Sequence, residues 1–270
     1  MTISSSYETL LTEQSDSVLT VTLNRPDRLN ALNRAMVGEL RDLFQSLYWD
    51  RSIRVVILRA SGRAFCAGLD LKDAADRDRP PGAGPMLDQQ RSLAEIYVAM
   101  RRCPQPVISL VQGAASGGGL AFALASDIRI LASDARMNAA FIRIGLSACD
   151  MGVSYFLPRM VGMSVASEYM LTGRFMHADR AFELGLASRV VAADDLEREG
   201  ASFAADMLRA TPLGLRLTKD ALNYTLDASG LEAVMALEDR NQMLAAQDPD
   251  FAEGVAAFLE KRQPVYGKHD

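Results

Sequence analysis

Histidine, cysteine and tryptophan are scarce in this sequence, and each scarcity removes a class of chemistry. Its 270 residues include two histidines, three cysteines and one tryptophan. An odd number of scattered cysteines builds no disulfide framework, which fits a reducing cytoplasm. Neither His177 nor His269 has a second candidate ligand nearby in sequence. No Cys/His cluster has zinc spacing, and no Gly-x-x-x-x-Gly-Lys-Ser/Thr loop occurs. Neither a metal nor a nucleotide redox cofactor is expected. No apolar run approaches the ~18 residues needed to span a bilayer. Met1-Thr2-Ile3-Ser4-Ser5-Ser6 lacks the basic start and apolar stretch of a secretory signal. The expectation is therefore a cytoplasmic protein away from membranes, and the net charge of −5 argues against a nucleic-acid partner.

What the sequence does contain is glycine in two telling places. Ala64-Phe65-Cys66-Ala67-Gly68-Leu69-Asp70 follows the β-branched run Arg54-Val55-Val56-Ile57-Leu58. Gly113-Ala114-Ala115-Ser116-Gly117-Gly118-Gly119-Leu120 follows Val107-Ile108-Ser109-Leu110-Val111. Each strand thus runs into a turn where no side chain blocks the approach of a ligand. The second turn also opens an apolar helical stretch, Leu120-Ala121-Phe122-Ala123-Leu124-Ala125, whose first N–H groups are unpaired at a positive helix end. Two such turns side by side can aim two N–H donors at one oxygen, which is an oxyanion hole. The plainer reading of the three glycines is tight packing of a helix on a strand. Gly113 to Gly119 does not fit G-x-G-x-x-G, so a dinucleotide site is not indicated.

The remaining pattern reads as α/β. Val18–Leu23 has strand character and closes on the turn residues Asn24-Arg25-Pro26-Asp27. Leu29, Leu32, Met36, Leu40, Leu43 and Leu47 recur at helical spacing toward Asp50. Arg77 to Pro85 reads as a loop, and Leu87 to Arg102 as a helix stopped by Cys103-Pro104. From Leu196 the pattern is helical, with helices predicted over Glu197–Arg209, Pro212–Leu226, Leu231–Ala246 and Phe251–Lys261. The organisation expected is a core over residues 1–195 and a helical C-terminal region over 196–270. These late helices, rich in Leu, Met and Ala, must pack on the core or on another subunit.

The two glycine segments resemble those of the enoyl-CoA hydratase/isomerase (crotonase) family. The likeness continues through Leu23-Asn24-Arg25-Pro26-Asp27-Arg28-Leu29-Asn30-Ala31-Leu32, Ser126-Asp127-Ile128-Arg129-Ile130, Leu157-Pro158-Arg159-Met160-Val161-Gly162, Leu171-Thr172-Gly173-Arg174 and Phe258-Leu259-Glu260-Lys261-Arg262-Gln263-Pro264. It implies a spiral of repeated β-β-α units, assembly as a homotrimer or hexamer, and an acyl-CoA thioester as substrate. Coenzyme A would then be part of the substrate, with no separate cofactor. The thioester carbonyl would lie between the N–H groups of Leu69 and Gly118. In the family Arg28 corresponds to a basic residue near the nucleotide end of the CoA. Lys72 would reach toward the adenosine phosphates, and Lys261 and Arg262 would help from a neighbouring subunit. Ala31, Ala67, Asp70, Leu71 and Phe141 complete the expected binding surface, although Asp70 and Asp127 recur in the family as structural acids.

The family's usual hydratases use two glutamates to deliver a proton and activate water. The corresponding positions here hold Ala121 and Phe141, neither of which exchanges a proton. Asp150 is the acid that remains, placed where family dienoyl-CoA isomerases carry a catalytic aspartate and aryl-CoA dehalogenases a nucleophilic one. It could shuttle a proton between the carbons alpha and gamma to the thioester, or attack a carbon directly as the nucleophile of a CoA-dependent hydrolase or dehalogenase. It equally reads as the N-cap of the helical stretch Val153–Leu157. A carrier that binds acyl-CoA without turnover is the competing class. Ser116 misses the G-x-S-x-G elbow by its first glycine and has no evident histidine partner. Cys66 and Cys149 read as small packing residues.

Overall fold

The computed structural model describes residues 7–72 and 82–267. The N-terminal hexapeptide, most of the Arg77–Pro85 loop and His269 lie outside the described residues. The core is a six-stranded sheet in the order β1-β2-β3-β4-β6-β9, where β1 is Leu10–Ser15, β2 Val18–Leu23, β3 Val55–Ala60, β4 Val107–Val111, β6 Ile128–Ala132 and β9 Arg189–Val191. Only β1 pairs antiparallel, and the other strands run parallel. Val56, Leu58, Val107 and Val111 are buried on one face, Val55, Ile57, Ile108 and Leu110 on the other. Burial on both faces is why these strands read as continuous aliphatic runs rather than alternating ones.

Helices α1 (Arg34–Leu47) and α2 (Ala83–Arg102) close the first face, with Leu40, Leu43, Phe44, Ile96 and Met100 in the core. Helix α1 starts later than the leucine spacing predicts. Asn33 caps it, its side chain accepting the Met36 N–H at 2.9 Å, while Leu29 and Asn30 sit in left-handed turns. Leu32 is apolar because its loop packs on the core, and neither it nor Leu29 is helical.

A second, three-stranded sheet of β5 (Ala114–Ser116), β7 (Arg136–Asn138) and β8 (Met176–His177) stands beside the first. Between the two lies α3 (Gly118–Ala125), buried along its whole length. Helices α4 (Val153–Val161), α5 (Met163–Thr172) and α6 (Ala178–Glu183) follow, then α7 (Leu196–Leu208), α8 (Pro212–Thr225), α9 (Leu231–Ala246) and α10 (Pro249–Glu260). The architecture is the crotonase-type arrangement of repeated β-β-α units followed by a helical C-terminal region. Leu196 and Ala204 of α7 bury against β3, β4 and β6, so α7 covers the sheet's second face. Lys219 of α8 is also buried, pairing with Asp127 at 2.9 Å and donating to the Gln105 and Met100 carbonyls.

Candidate active site

Backbone pairing brings the two glycine segments together. Cys66 and Ala115 form a parallel bridge, with Cys66 N–H donating to Ala114 O at 3.1 Å and Ser116 N–H to Cys66 O at 2.9 Å. Leu69 bridges to Leu32 on the other side, through Leu32 N–H to Gly68 O and Asp70 N–H to Leu32 O. In that parallel pattern the Leu69 N–H faces away from its partner. Among the described residues neither Leu69 N–H nor Gly118 N–H meets a protein acceptor.

Two glycines make this closeness possible. Gly68 has φ +90°, and a β-carbon there would stand 2.8 Å from Ser116 O and 3.5 Å from Gly118 N. At Gly119 a β-carbon would fall 2.2 Å from Cys66 O, so α3 starts against the first turn only because that side chain is absent. The two donors therefore sit on adjoining backbone, one of them at the positive end of α3. The far end of α3 is held by cations: Arg129 donates to the Ala123 and Ser126 carbonyls, and Arg101 to that of Ala125. Burial lowers Arg129 to about 10, where it is still protonated at neutral pH.

The wall around the donors is apolar. A β-carbon on Gly118 would stand 2.7 Å from Leu32 Cδ1, 3.0 Å from Tyr97 Oη and 3.4 Å from Met151 Sδ. One on Gly117 would stand 3.3 Å from Phe141 Cε1, so the phenyl ring lies against the turn. Ala121 and Phe141 are both buried. Cys66 is buried too, its thiol pushed up to about 12 by desolvation, which fits packing rather than nucleophilic chemistry.

Asp150 is half-buried beside this wall. It is not a helix cap: Gly152 is the N-cap residue of α4, and the carboxylate turns elsewhere. Its Oδ1 accepts Met151 N–H at 2.7 Å and Gln90 Nε2 at 2.6 Å. Burial raises its pKa above the usual carboxylate range, with those two donors pulling against the rise. Among the described residues Oδ2 accepts no hydrogen bond. Tyr97 reaches from α2 toward the same place, its buried hydroxyl donating to Gly118 O at 3.2 Å. Burial holds its pKa well up, and Cys66 and Asp150 add to that.

The other expected site residues fall into two groups. Arg28, Ala31, Ala67, Asp70, Leu71 and Lys72 gather around the first turn, where Ala67 N–H donates to Leu29 O at 3.0 Å and Ala31 N–H to Arg28 O at 3.0 Å. Arg28, Leu71 and Lys72 are exposed. Asp70 is buried against Arg25, Oδ2 to Nη2 at 2.9 Å, while Arg25 Nη1 donates to the Ala31 carbonyl. Lys261 is exposed and left-handed at the end of α10, and among the described residues no hydrogen bond or ion pair joins it to the first turn. His177 is the exposed N-cap residue of α6, which leaves Ser116 without a histidine partner among the described residues.

Sequence reasoning missed Asn30, Tyr97 and Gln90. Asn30 is fully buried, and its amide donates to the carbonyls of Ser61 and Ala64, both at 2.8 Å, fixing the loop that carries Arg28. In the sequence Asn30 reads as one more turn residue, because its burial comes from the packing of the loop.

The profile of the family described as enoyl-CoA hydratase/isomerase matches residues 13–269. The chain belongs to the enoyl-CoA hydratase/isomerase family. It is 40% identical over 252 residues to the "Probable enoyl-CoA hydratase echA12" of Mycobacterium leprae, covering 92% of this chain and 86% of that protein. It is 36% identical over 263 residues to the 1,2-epoxyphenylacetyl-CoA isomerase of Escherichia coli K12, covering 96% and 98%. The crystal structure of an enoyl-CoA hydratase from Bacillus anthracis superposes with a TM-score of 0.91 at 30% identity, covering 97% of this chain and all of that one. The protein is thus an enzyme of the crotonase type acting on acyl-CoA thioesters. Among its described residues no helix is long and apolar enough to cross a membrane.

Proposed function

We propose that this crotonase-family enzyme moves a double bond along the acyl chain of an enoyl-CoA, with Asp150 carrying the proton. The observation that supports this reading is the composition of the site among the described residues: two N–H groups without protein acceptors, one half-buried carboxylate, and Ala121 and Phe141 where hydration would need acids. The substrate's thioester oxygen accepts from Leu69 and Gly118. Asp150 Oδ2 takes a proton from the alpha carbon, and the electron pair of the broken C–H bond moves into the enolate. The hole stabilises the oxygen that gains charge, a contribution of about 3–4 kcal/mol per donor in other enzymes. The same proton then returns to the gamma carbon, leaving the double bond between the alpha and beta carbons. Nothing is gained or lost from the substrate, so no activated water is required.

On this reading the CoA portion runs past Ala31 and Ala67 toward Arg28, Leu71 and Lys72. Asp70 serves that surface indirectly, through Arg25 and the Ala31 carbonyl. The similarity to a relative named as an isomerase supports a rearrangement on this scaffold. Lys261 would act from a neighbouring copy in a trimer or hexamer, and the exposure of Met163, Leu171, Leu231 and Phe258 supports such an assembly.

The test is to incubate the protein with enoyl-, dienoyl- and aryl-CoA thioesters and follow products by liquid chromatography with mass spectrometry. A product of unchanged mass and new retention time is expected. Gain of one water, release of free CoA, or binding without any change would each contradict the proposal.

A further inference from the structure

One face of α2 touches both halves of the candidate site. Gln90 donates to Asp150 Oδ1 at 2.6 Å, and two turns later Tyr97 donates to Gly118 O at 3.2 Å. A turn beyond that, Arg101 donates to Ala125 O at 3.1 Å, at the other end of α3. The spacing of 90, 97 and 101 keeps the three side chains on one side of the helix. The acid and the helix bearing an oxyanion donor are thus braced by the same element.

We propose that Gln90 is a positioning residue for Asp150: by occupying Oδ1 together with Met151 N–H, it leaves Oδ2 as the oxygen that exchanges the proton. This rests on the reading of Asp150 as the acid/base. An amide suits the task because it donates to the carboxylate without bringing a charge. A lysine or arginine here would hold the carboxylate ionised and weaken it as a base. A hydrocarbon would leave the Met151 N–H alone to oppose desolvation, and the carboxyl group would stay protonated to higher pH. Tyr97 faces Asp150 from α2, and Cys149 adjoins it in the chain. Among the described residues no lysine, arginine or histidine forms an ion pair with it. The Gln90 amide is, among the described residues, the one side chain that hydrogen-bonds Asp150.

The test uses the whole protein with aspartate carrying carbon-13 at Cγ. The Asp150 resonance is identified by its loss in Asp150→Asn, and its midpoint is followed by NMR in the wild type and in Gln90→Met. Gln90 is exposed, so the substitution leaves the core intact. The midpoint is expected to rise by roughly one pH unit, the scale of one hydrogen bond to a charged group. In parallel, deuterium uptake at the alpha carbon of a 3-enoyl-CoA in heavy water is measured against pH. Its acidic limb should move up by the same amount, with kcat falling more than KM rises. An unmoved midpoint in Gln90→Met, with exchange lost in Asp150→Asn, overturns the role of Gln90 alone. Exchange that persists in Asp150→Asn overturns the reading of Asp150 and this proposal with it.

Discussion

Ser116 and Cys66 are joined backbone to backbone, the Ser116 N–H donating to the Cys66 carbonyl at 2.9 Å. That contact aligns two segments some fifty residues apart, so that Leu69 and Gly118 follow it as neighbours. The same Cys66 carbonyl lies 2.2 Å from where a β-carbon of Gly119 would stand. The carbonyl that registers the two turns thus also dictates the glycine.

Gly119→Ala is therefore expected to push α3 off the first turn. Overpacking of this kind costs roughly 1–3 kcal/mol, and misplacing one oxyanion donor costs on the order of 100-fold or more in rate. Gly38→Ala is the contrast, since nothing lies within 4 Å of its β-position in α1. It should stabilise by up to about 1 kcal/mol through helix propensity and leave turnover unchanged. Urea unfolding and kcat on both variants check the pair.

Phe141→Ala removes a buried ring from beside Gly117. Truncations of this type cost about 3–5 kcal/mol when the cavity stays open. The opened space supplies no acid or base, so water addition should remain absent while bulkier acyl groups bind better. Product masses and KM values across a series of branched thioesters give the readout. Appearance of a hydrated product would show that Phe141 had been blocking a competent hydratase.

Acid sensitivity should follow Asp127. Burial pushes its carboxyl upward, but Lys219, Arg101 and the Val107 N–H together outweigh that and hold it below its ordinary value. A carboxylate depressed in the folded state contributes stability that is full above its unfolded pKa of about 4. That contribution is lost as pH falls below this value through the lower folded pKa. Lys219→Met takes one of two cations from Asp127, leaving Arg101 and the Val107 N–H, and removes the donor to the Met100 and Gln105 carbonyls, at an expected cost of about 1–3 kcal/mol at pH 7. It should also flatten the acid limb of the stability curve. Thermal midpoints of both proteins between pH 7 and pH 3 measure this, and parallel curves would contradict it.

Assembly is tested on Phe258, which is 82% exposed on α10. Light scattering on the wild type should report three or six copies. Phe258→Asp should shift the population toward smaller species without changing the far-ultraviolet circular dichroism. A monomeric wild type at micromolar concentration would remove the assembly from the proposed function.

Much of the fold can be read in the sequence because β2, β3, β4 and β6 are dense in β-branched residues, and the late helices are punctuated by Thr211-Pro212, Gly230 and Asp248-Pro249. The short strands β5, β7 and β8 carry no such mark. They exist through pairing with distant segments, as Ala115 does with Met137 and Cys66. Leu29 and Leu32 mimic the start of α1, although Asn33 already marks the true cap. The two glycine turns are legible because glycine is dictated by close backbone approach, whereas Leu69 and Gly118 as donors follow from the family resemblance. Gln90 is not legible, since its partner lies 60 residues away on another element and glutamine has no pattern of its own.

The central claim is that a single carboxylate passes one proton between two carbons of an enolate held by Leu69 and Gly118. Its most direct test follows a 3-enoyl-CoA bearing deuterium at the alpha carbon, converted in ordinary water by the wild type and by Asp150→Asn. The account predicts deuterium recovered in part at the gamma carbon of the wild-type product, and loss of conversion by on the order of 100-fold or more in the variant. Conversion that survives in Asp150→Asn, with no deuterium at the gamma carbon in either protein, would contradict it.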